Sequence, residues 1–212
     1  GSLDSSLEGG ISFEGVHDLE KILLICSKGG VATGEDLLKV ADTLRAARKL
    51  RKLIFDQVIR PRLSELLKDI ATLPDLQKLL EFGLDEGGRI ADRASSKLSE
   101  LRRHRSAVRL QRKDILQDII RKYGGLLQDN IISERYGRPV LAFKAGTSDQ
   151  IKGMVHDSSA SGNTIYVEPQ VVISIGNRLA KIDSEISEEE RRLLADWSKE
   201  VGLNANVIDY LG

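Results

Sequence analysis

One stretch of the sequence limits the fold more than any other: residues 90–123 contain neither proline nor glycine. Within it, Leu101, Val108 and Ile115 are spaced seven residues apart, and most of the residues between them are polar or charged. This spacing is typical of a helix that packs along one narrow seam, as in a coiled coil. At roughly 1.5 Å per residue, the helix would be about 50 Å long. Residues 170–200 show a second sparse seam of the same kind.

The segment between these two helices has a different composition. Residues 131–169 form short β-rich runs that are separated by glycine and serine turns. Such a pattern predicts an antiparallel sheet of three or four strands. We therefore expect a mainly α-helical fold with a small antiparallel β insertion, in which two long antiparallel helices, the levers, connect a helical core to a β-rich tip. The predicted segments are a disordered start with a cleavage scar at 1–13, the helical core at 14–89, the ascending lever helix at 90–130, the β-rich tip at 131–169, the descending lever helix at 170–200 and a truncated C-terminal segment at 201–212.

Composition excludes several classes of protein. The chain has 212 residues, 32 of them basic and 32 acidic, so its formal net charge is zero. This argues against a protein that is coated on all sides for nucleic acid, but it leaves room for a local basic patch. The single cysteine, Cys26, permits neither an intrachain disulfide nor a cysteine-based zinc site and favours a reducing compartment. No apolar run approaches the roughly 18 residues of a membrane span, so we expect no membrane partner.

The ascending lever helix carries the strongest local charge. Residues 97–113 hold seven lysines and arginines against one glutamate, a local net charge of +6. Arg105 and Arg112 also fall on the heptad line, where a simple coiled coil has apolar residues. Two interpretations are open: a solvated face that pairs with the acidic residues within 183–190, or a surface that binds nucleic-acid phosphates. For the second interpretation, the candidate residues are Arg102, Arg103, Arg105 and Arg109.

The β-rich tip offers a second group of candidate cations. Its basic and acidic residues balance, so it suits a few phosphate contacts rather than the recognition of bases. Arg135 and Arg138 flank a turn, and both could therefore point outward from the tip. The candidate contacts are Arg135, Arg138, Lys144 and Lys152.

The sequence shows no arrangement typical of catalysis. The stretch 29–34 has the glycine spacing of a phosphate loop, but Glu35 and Asp36 follow it where lysine and serine or threonine are needed. A His-Asp-Ser run at 156–158 holds the residue types of a hydrolase triad, yet neighbours on a strand point to opposite faces. The three histidines lack metal-ligand spacing. We therefore expect no catalytic, cofactor-binding or metal-binding residues here, and no enzyme activity from this chain by itself.

Several stretches resemble the core, lever and clamp region of the MutS family, and in particular its type-two branch. The most specific is 153–169, GMVHDSSASGNTIYVEP, which is similar to the clamp signature of that branch. Residues 135–144 resemble the first clamp hairpin, and 41–48 and 84–95 resemble motifs of the core domain. The resemblance covers about residues 16–201.

The resemblance implies a DNA clamp. In this family two long levers per subunit carry tips that close around duplex or branched DNA in a dimer, and the type-two branch is linked to the suppression of recombination. ATP and magnesium are expected in the parent protein, at an ATPase domain C-terminal to this region that also drives dimerisation. A small nuclease domain often follows in this branch.

We therefore expect a sequence-independent DNA-binding lever and clamp module of a protein involved in mismatch repair or in suppressing recombination. Its expected partners are DNA and, in the parent protein, the second subunit of a homodimer. Two alternatives stay open: a structural lever or dimerisation module that relays the state of the ATPase, and a ribosome- or RNA-binding module. The expected location is intracellular, in a bacterial cytoplasm or nucleoid or in a plant chloroplast or mitochondrion.

Overall fold

The computed structural model describes residues 13–56 and 73–209. The predicted cleavage scar and most of the disordered start lie outside these residues, as do residues 57–72 of the predicted helical core and the last residues of the predicted C-terminal segment. The described part is mainly helical with one four-stranded antiparallel sheet, which confirms the predicted fold class. The elements are α1 (Phe13–Ser27), α2 (Gly34–Asp56), α3 (Pro74–Gly83), α4 (Ser96–Tyr123), β1 (Leu127–Arg135), β2 (Arg138–Lys144), β3 (Gly153–Ser158), β4 (Thr164–Pro169), α5 (Gln170–Leu203) and α6 (Ala205–Asp209).

The chain divides into two compact units. The first unit comprises Gly1–Ser99 and Glu188–Gly212, and the second comprises Glu100–Ser187. In the first unit, helix starts follow the sequence: the side chain of Thr33 accepts a hydrogen bond from the Asp36 N–H at 3.2 Å and caps α2. Pro74 occupies the first position of α3, where its missing N–H costs nothing.

Helix α4 begins at Ser96, whereas the sequence predicted a start near Ile90. Ile90 instead pairs with Leu84 in an isolated antiparallel bridge, and a short 3-10 turn follows at Asp92–Ala94. The hydroxyl of Ser95 then accepts a hydrogen bond from the Leu98 N–H at 2.9 Å, so Ser95 caps the helix. At about 1.5 Å per residue, α4 is about 42 Å long.

Helix α5 runs through Gly202 to Leu203, beyond the end at residue 200 that the sequence predicted. A Cβ atom added to Gly202 would lie 2.3 Å from the carbonyl oxygen of Cys26, at the end of α1. Glycine is therefore required here because two helices of the first unit approach each other closely, and not because the helix terminates.

In the second unit the strand order is β1-β2-β4-β3, and every neighbouring pair is antiparallel. β1 begins at Leu127, so residues assigned by sequence to the end of the ascending lever helix belong to the sheet. One apolar cluster joins the sheet to the two helices and contains Leu116, Leu127, Leu141, Phe143, Val167 and Val172. A second cluster forms the seam between α4 and α5 and contains Val108, Ile175, Leu179 and Ile182. The seam agrees with the heptad spacing of the sequence.

Candidate nucleic-acid interface

The second unit contains a cavity of about 540 Å³ lined by residues of α4, α5 and the β1–β2 hairpin. Four arginines line it: Arg105, Arg109, Arg112 and Arg138. We call it the arginine cavity. Positions 105, 109 and 112 are four and three residues apart, so their side chains leave α4 from one face.

The fourth arginine is placed by the turn between β1 and β2. Tyr136 and Gly137 both adopt positive φ angles, of 53° and 75°, which is the backbone geometry that two-residue hairpin turns favour. Arg135 and Arg138 are consequently paired across the end of the hairpin.

Arg138 is held by a buried carboxylate. Its Nε lies 2.9 Å from Oε1 of Glu168, and its Nη2 lies 2.9 Å from Oε2. Nε2 of His156 lies 2.8 Å from the same Oε1, and this histidine stands at a β-bulge between Val155 and Asp157. The Glu168 side chain is 1% exposed. Arg138 thus packs against the sheet, where the sequence had suggested an outward-pointing side chain.

Gly176 on α5 makes room for this arrangement. A Cβ atom at this position would lie 2.9 Å from Nη2 of Arg138 and 3.2 Å from its Cζ. Any larger residue would displace the guanidinium from Glu168 or toward the solvent.

The three arginines of α4 differ in their partners. Arg105 forms an ion pair with Asp183 of α5. The solvated-face interpretation predicts pairs of this kind between the basic stretch and the acidic residues within 183–190. Among the described residues, no carboxylate lies within ion-pair distance of Arg109 or Arg112. Burial lowers the pKa of the half-buried Arg112, and the positive charges of Arg109 and Arg138 lower it further, against the opposing effect of Glu168. The cavity therefore holds more positive charge than its carboxylates compensate.

The other predicted tip cations lie outside the cavity lining. Arg135 packs on the sheet: its Nε is 3.4 Å from Oδ2 of Asp157, and its Cζ is 4.0 Å from the centre of the Tyr166 ring. Lys144 is exposed, with Nζ 3.4 Å from the carbonyl oxygen of Gly125. Lys152 is exposed as well.

On α4, Arg103 and Arg109 are exposed, and Arg102 is half-buried. Of the predicted site residues, the structure brings Arg105, Arg109 and Arg138 together in one cavity. It adds Arg112, which the sequence had not selected as a site residue. The sequence does contain a signal for Arg112, because this residue lies on the heptad line and residues on that line face the partner helix.

In the first unit, the glycine stretch at 29–34 does not fit the phosphates of ATP. Glu35 and Asp36 occupy the first turn of α2, where their charge opposes an anion. A Cβ atom at Gly34 would lie 1.9 Å from the carbonyl oxygen of Gly88, so another backbone segment already fills that approach. Within the described ranges, no group of three or more His, Cys, Asp or Glu side chains could hold a metal ion.

Among the described helices, none combines the length and the apolar composition of a membrane span.

Comparison with known proteins decides the family. The chain is 40% identical over 200 residues to a protein of Synechocystis sp. named Endonuclease MutS2, a match that covers 94% of this chain and 24% of the relative. The chain is a MutS2-type segment. The protein of the same name from Pelotomaculum thermopropionicum is 36% identical over 92% of this chain and 25% of its own length. The one from Symbiobacterium thermophilum is 35% identical over 95% and 26%.

These matches confirm the resemblance to the type-two branch of the MutS family. No family model matches the chain. This MutS2-type chain spans about a quarter of the length of the curated relatives it matches.

Proposed function

We propose that this MutS2-type chain is a sequence-independent DNA-binding lever and clamp module that is non-catalytic by itself. The observation that carries the proposal is the convergence of four arginines on the arginine cavity, two of them without a carboxylate partner among the described residues. Guanidinium groups bind phosphate oxygens through two parallel hydrogen bonds. Contacts of this kind position a protein on nucleic acid without reading its sequence.

The exposed surface of α4 supports the same function. Arg103, Arg109 and Lys113 are exposed on this helix, whereas the pairing of Arg105 with Asp183 satisfies one cation of the basic stretch. The solvated-face interpretation therefore accounts for Arg105 and leaves the other three available to phosphates. Exposed basic side chains near an arginine-lined cavity raise the local concentration of a polyanion.

The proposal is tested by measuring the affinity of the chain for two duplexes of equal length and unrelated sequence. We expect equal affinities, and we expect Arg109→Gln to weaken both by the same factor. The matched control is Arg191→Gln, which removes an exposed arginine of the first unit and should leave both affinities unchanged.

Two results would contradict the proposal. A loss confined to one duplex would indicate base reading. Absence of binding to either duplex at low salt would favour the alternative of a structural lever that relays the state of an ATPase.

For the protein that contains this chain, we propose the remaining properties of the type-two branch. The relatives are named endonucleases, and we propose that nuclease activity, the binding of ATP with magnesium, and pairing with a second subunit belong to parts of the protein outside these residues. The chain alone should then be a monomer when its molar mass is measured in solution. A tight dimer would place a dimer surface within it. The bacterial or organellar location stays a prediction.

A further inference from the structure

The size of the arginine cavity limits what can enter it. The arginine cavity has a volume of about 540 Å³. Cavities that hold small ligands measure about 300–1,000 Å³, so this one has room for a single phosphate group together with the sugar or base attached to it.

The charges around the cavity suit an anion. Arg105 and Arg138 are each neutralised by a carboxylate, Asp183 and Glu168 respectively. Arg109 and Arg112 are not, and no described ion pair joins either of them to a carboxylate.

Glu134 also lines the cavity. It is exposed on β1, and among the described residues no ion pair joins it to a lining arginine. The carboxylates that face the cavity therefore leave Arg109 and Arg112 as cations without a close counter-ion.

The state of Arg112 points the same way. Burial and the neighbouring guanidinium groups lower its pKa, which means that the surroundings disfavour its positive charge. An anion bound between Arg109 and Arg112 would reduce this penalty, because it would supply both negative charge and the hydrogen-bond acceptors that a half-buried guanidinium needs.

We propose that the arginine cavity binds a phosphomonoester, the terminal phosphate of a nucleic-acid strand or of a free nucleotide. A phosphomonoester carries close to two negative charges at neutral pH and three acceptor oxygens, which match two guanidinium forks without counter-ions. A phosphodiester within a strand carries only one negative charge and two non-bridging oxygens, so it matches two guanidinium groups less well. The choice of a strand end as ligand rests on the proposed DNA binding, whereas the choice of a phosphate rests on the cavity itself.

The experiment compares three DNA ligands with the same stem: a hairpin with a 5′-phosphate, the same hairpin with a 5′-hydroxyl, and a closed dumbbell without ends. We expect the chain to bind the phosphorylated hairpin about tenfold more tightly than the hydroxyl form, the effect of one or two charge-assisted hydrogen bonds. Arg112→Gln should abolish this difference. The matched control Arg103→Gln, an exposed arginine of the same helix outside the cavity lining, should keep it.

Equal affinities for the two hairpin ends would overturn the inference, as would a preference for the phosphate that survives Arg112→Gln. The dumbbell carries no phosphomonoester and therefore tests the proposed DNA binding alone. Failure to bind the dumbbell, with retained preference for the phosphate, would refute DNA binding along the backbone and leave the phosphate site standing.

A thermal unfolding experiment separates the two sources of phosphate. A rise in melting temperature with adenosine monophosphate, relative to chloride of equal ionic strength, would support the site with a free nucleotide as a sufficient ligand, provided that Arg112→Gln removes the rise. No rise, together with the tenfold preference for the phosphorylated hairpin, would support the site with a strand end as its ligand. Arg112→Gln should itself keep the native circular dichroism spectrum, because it removes a charge that its surroundings disfavour.

Discussion

The substitution Arg138→Ala should destabilise the second unit strongly, because it leaves Glu168 as a buried charge without its main partner. Glu168 is 1% exposed; its Oε1 accepts a hydrogen bond from Nε of Arg138 at 2.9 Å, and Nη2 of Arg138 lies 2.9 Å from its Oε2 as an ion pair. Removing one partner of a buried ion pair costs about 3–5 kcal/mol. We expect about 3 kcal/mol, at the lower end, since the Arg138 side chain is itself 32% exposed and His156 stays 2.8 Å from the carboxylate.

Urea unfolding followed by far-UV circular dichroism measures this loss in the free energy of unfolding. The double variant Arg138→Ala with Glu168→Gln should recover at least about 1 kcal/mol of it, because the second substitution removes the uncompensated charge. A loss below about 1 kcal/mol in the single variant would refute the reasoning, as would a double variant less stable than the single one. Because Arg138→Ala also destabilises the second unit, weaker DNA binding by this variant would not by itself identify a phosphate contact.

Two further predictions concern the first unit. Gly202→Ala should lower the melting temperature by several degrees, because the added methyl group would clash with the carbonyl oxygen of Cys26. In the control Gly125→Ala, no atom lies within 4 Å of the added Cβ, so the melting temperature should stay unchanged. The hydrogen bond from Arg192 holds the pKa of the buried Glu189 below its usual value. The Arg192–Glu189 pair therefore stabilises the fold at pH values above the unfolded-state pKa of Glu189. This stabilisation is lost as the pH falls through the folded-state pKa. The free energy of unfolding, measured in urea between about pH 3 and pH 7, should therefore decline toward acid pH, and Glu189→Gln should make this decline smaller. The same decline in the variant as in the natural sequence would contradict the role given to Glu189.

Much of the fold could be predicted because local signals and packing agree. The seven-residue spacing of Val108 and its neighbours predicted the seam between α4 and α5, and the short β-rich runs within residues 131–169 predicted the antiparallel sheet. The missed boundaries were decided by contacts that the local sequence pattern does not show. Ile90 looks helical in the sequence but pairs with Leu84, and Gly202 looks like a stop signal but allows a close approach to Cys26.

The sequence predicted only part of the candidate site, again because tertiary contacts decided the rest. Charge along the chain singled out the basic stretch of α4, but it could not show that Arg138 would join that stretch. That placement depends on Gly176 of α5, whose missing side chain leaves room for the guanidinium beside the buried Glu168. Local charge density predicts where cations are, whereas the tertiary fold decides which of them already have partners.

The salt dependence of DNA binding tests the central claim most directly. The affinity of the chain for one duplex is measured at several salt concentrations, for the natural sequence and for Arg109→Gln. We predict a linear fall of log affinity with log salt, with a slope near −0.9 for each phosphate contact, and a slope smaller by about 0.9 in the variant. Binding that does not depend on salt, or a slope that Arg109→Gln leaves unchanged, would contradict phosphate contacts through this helix.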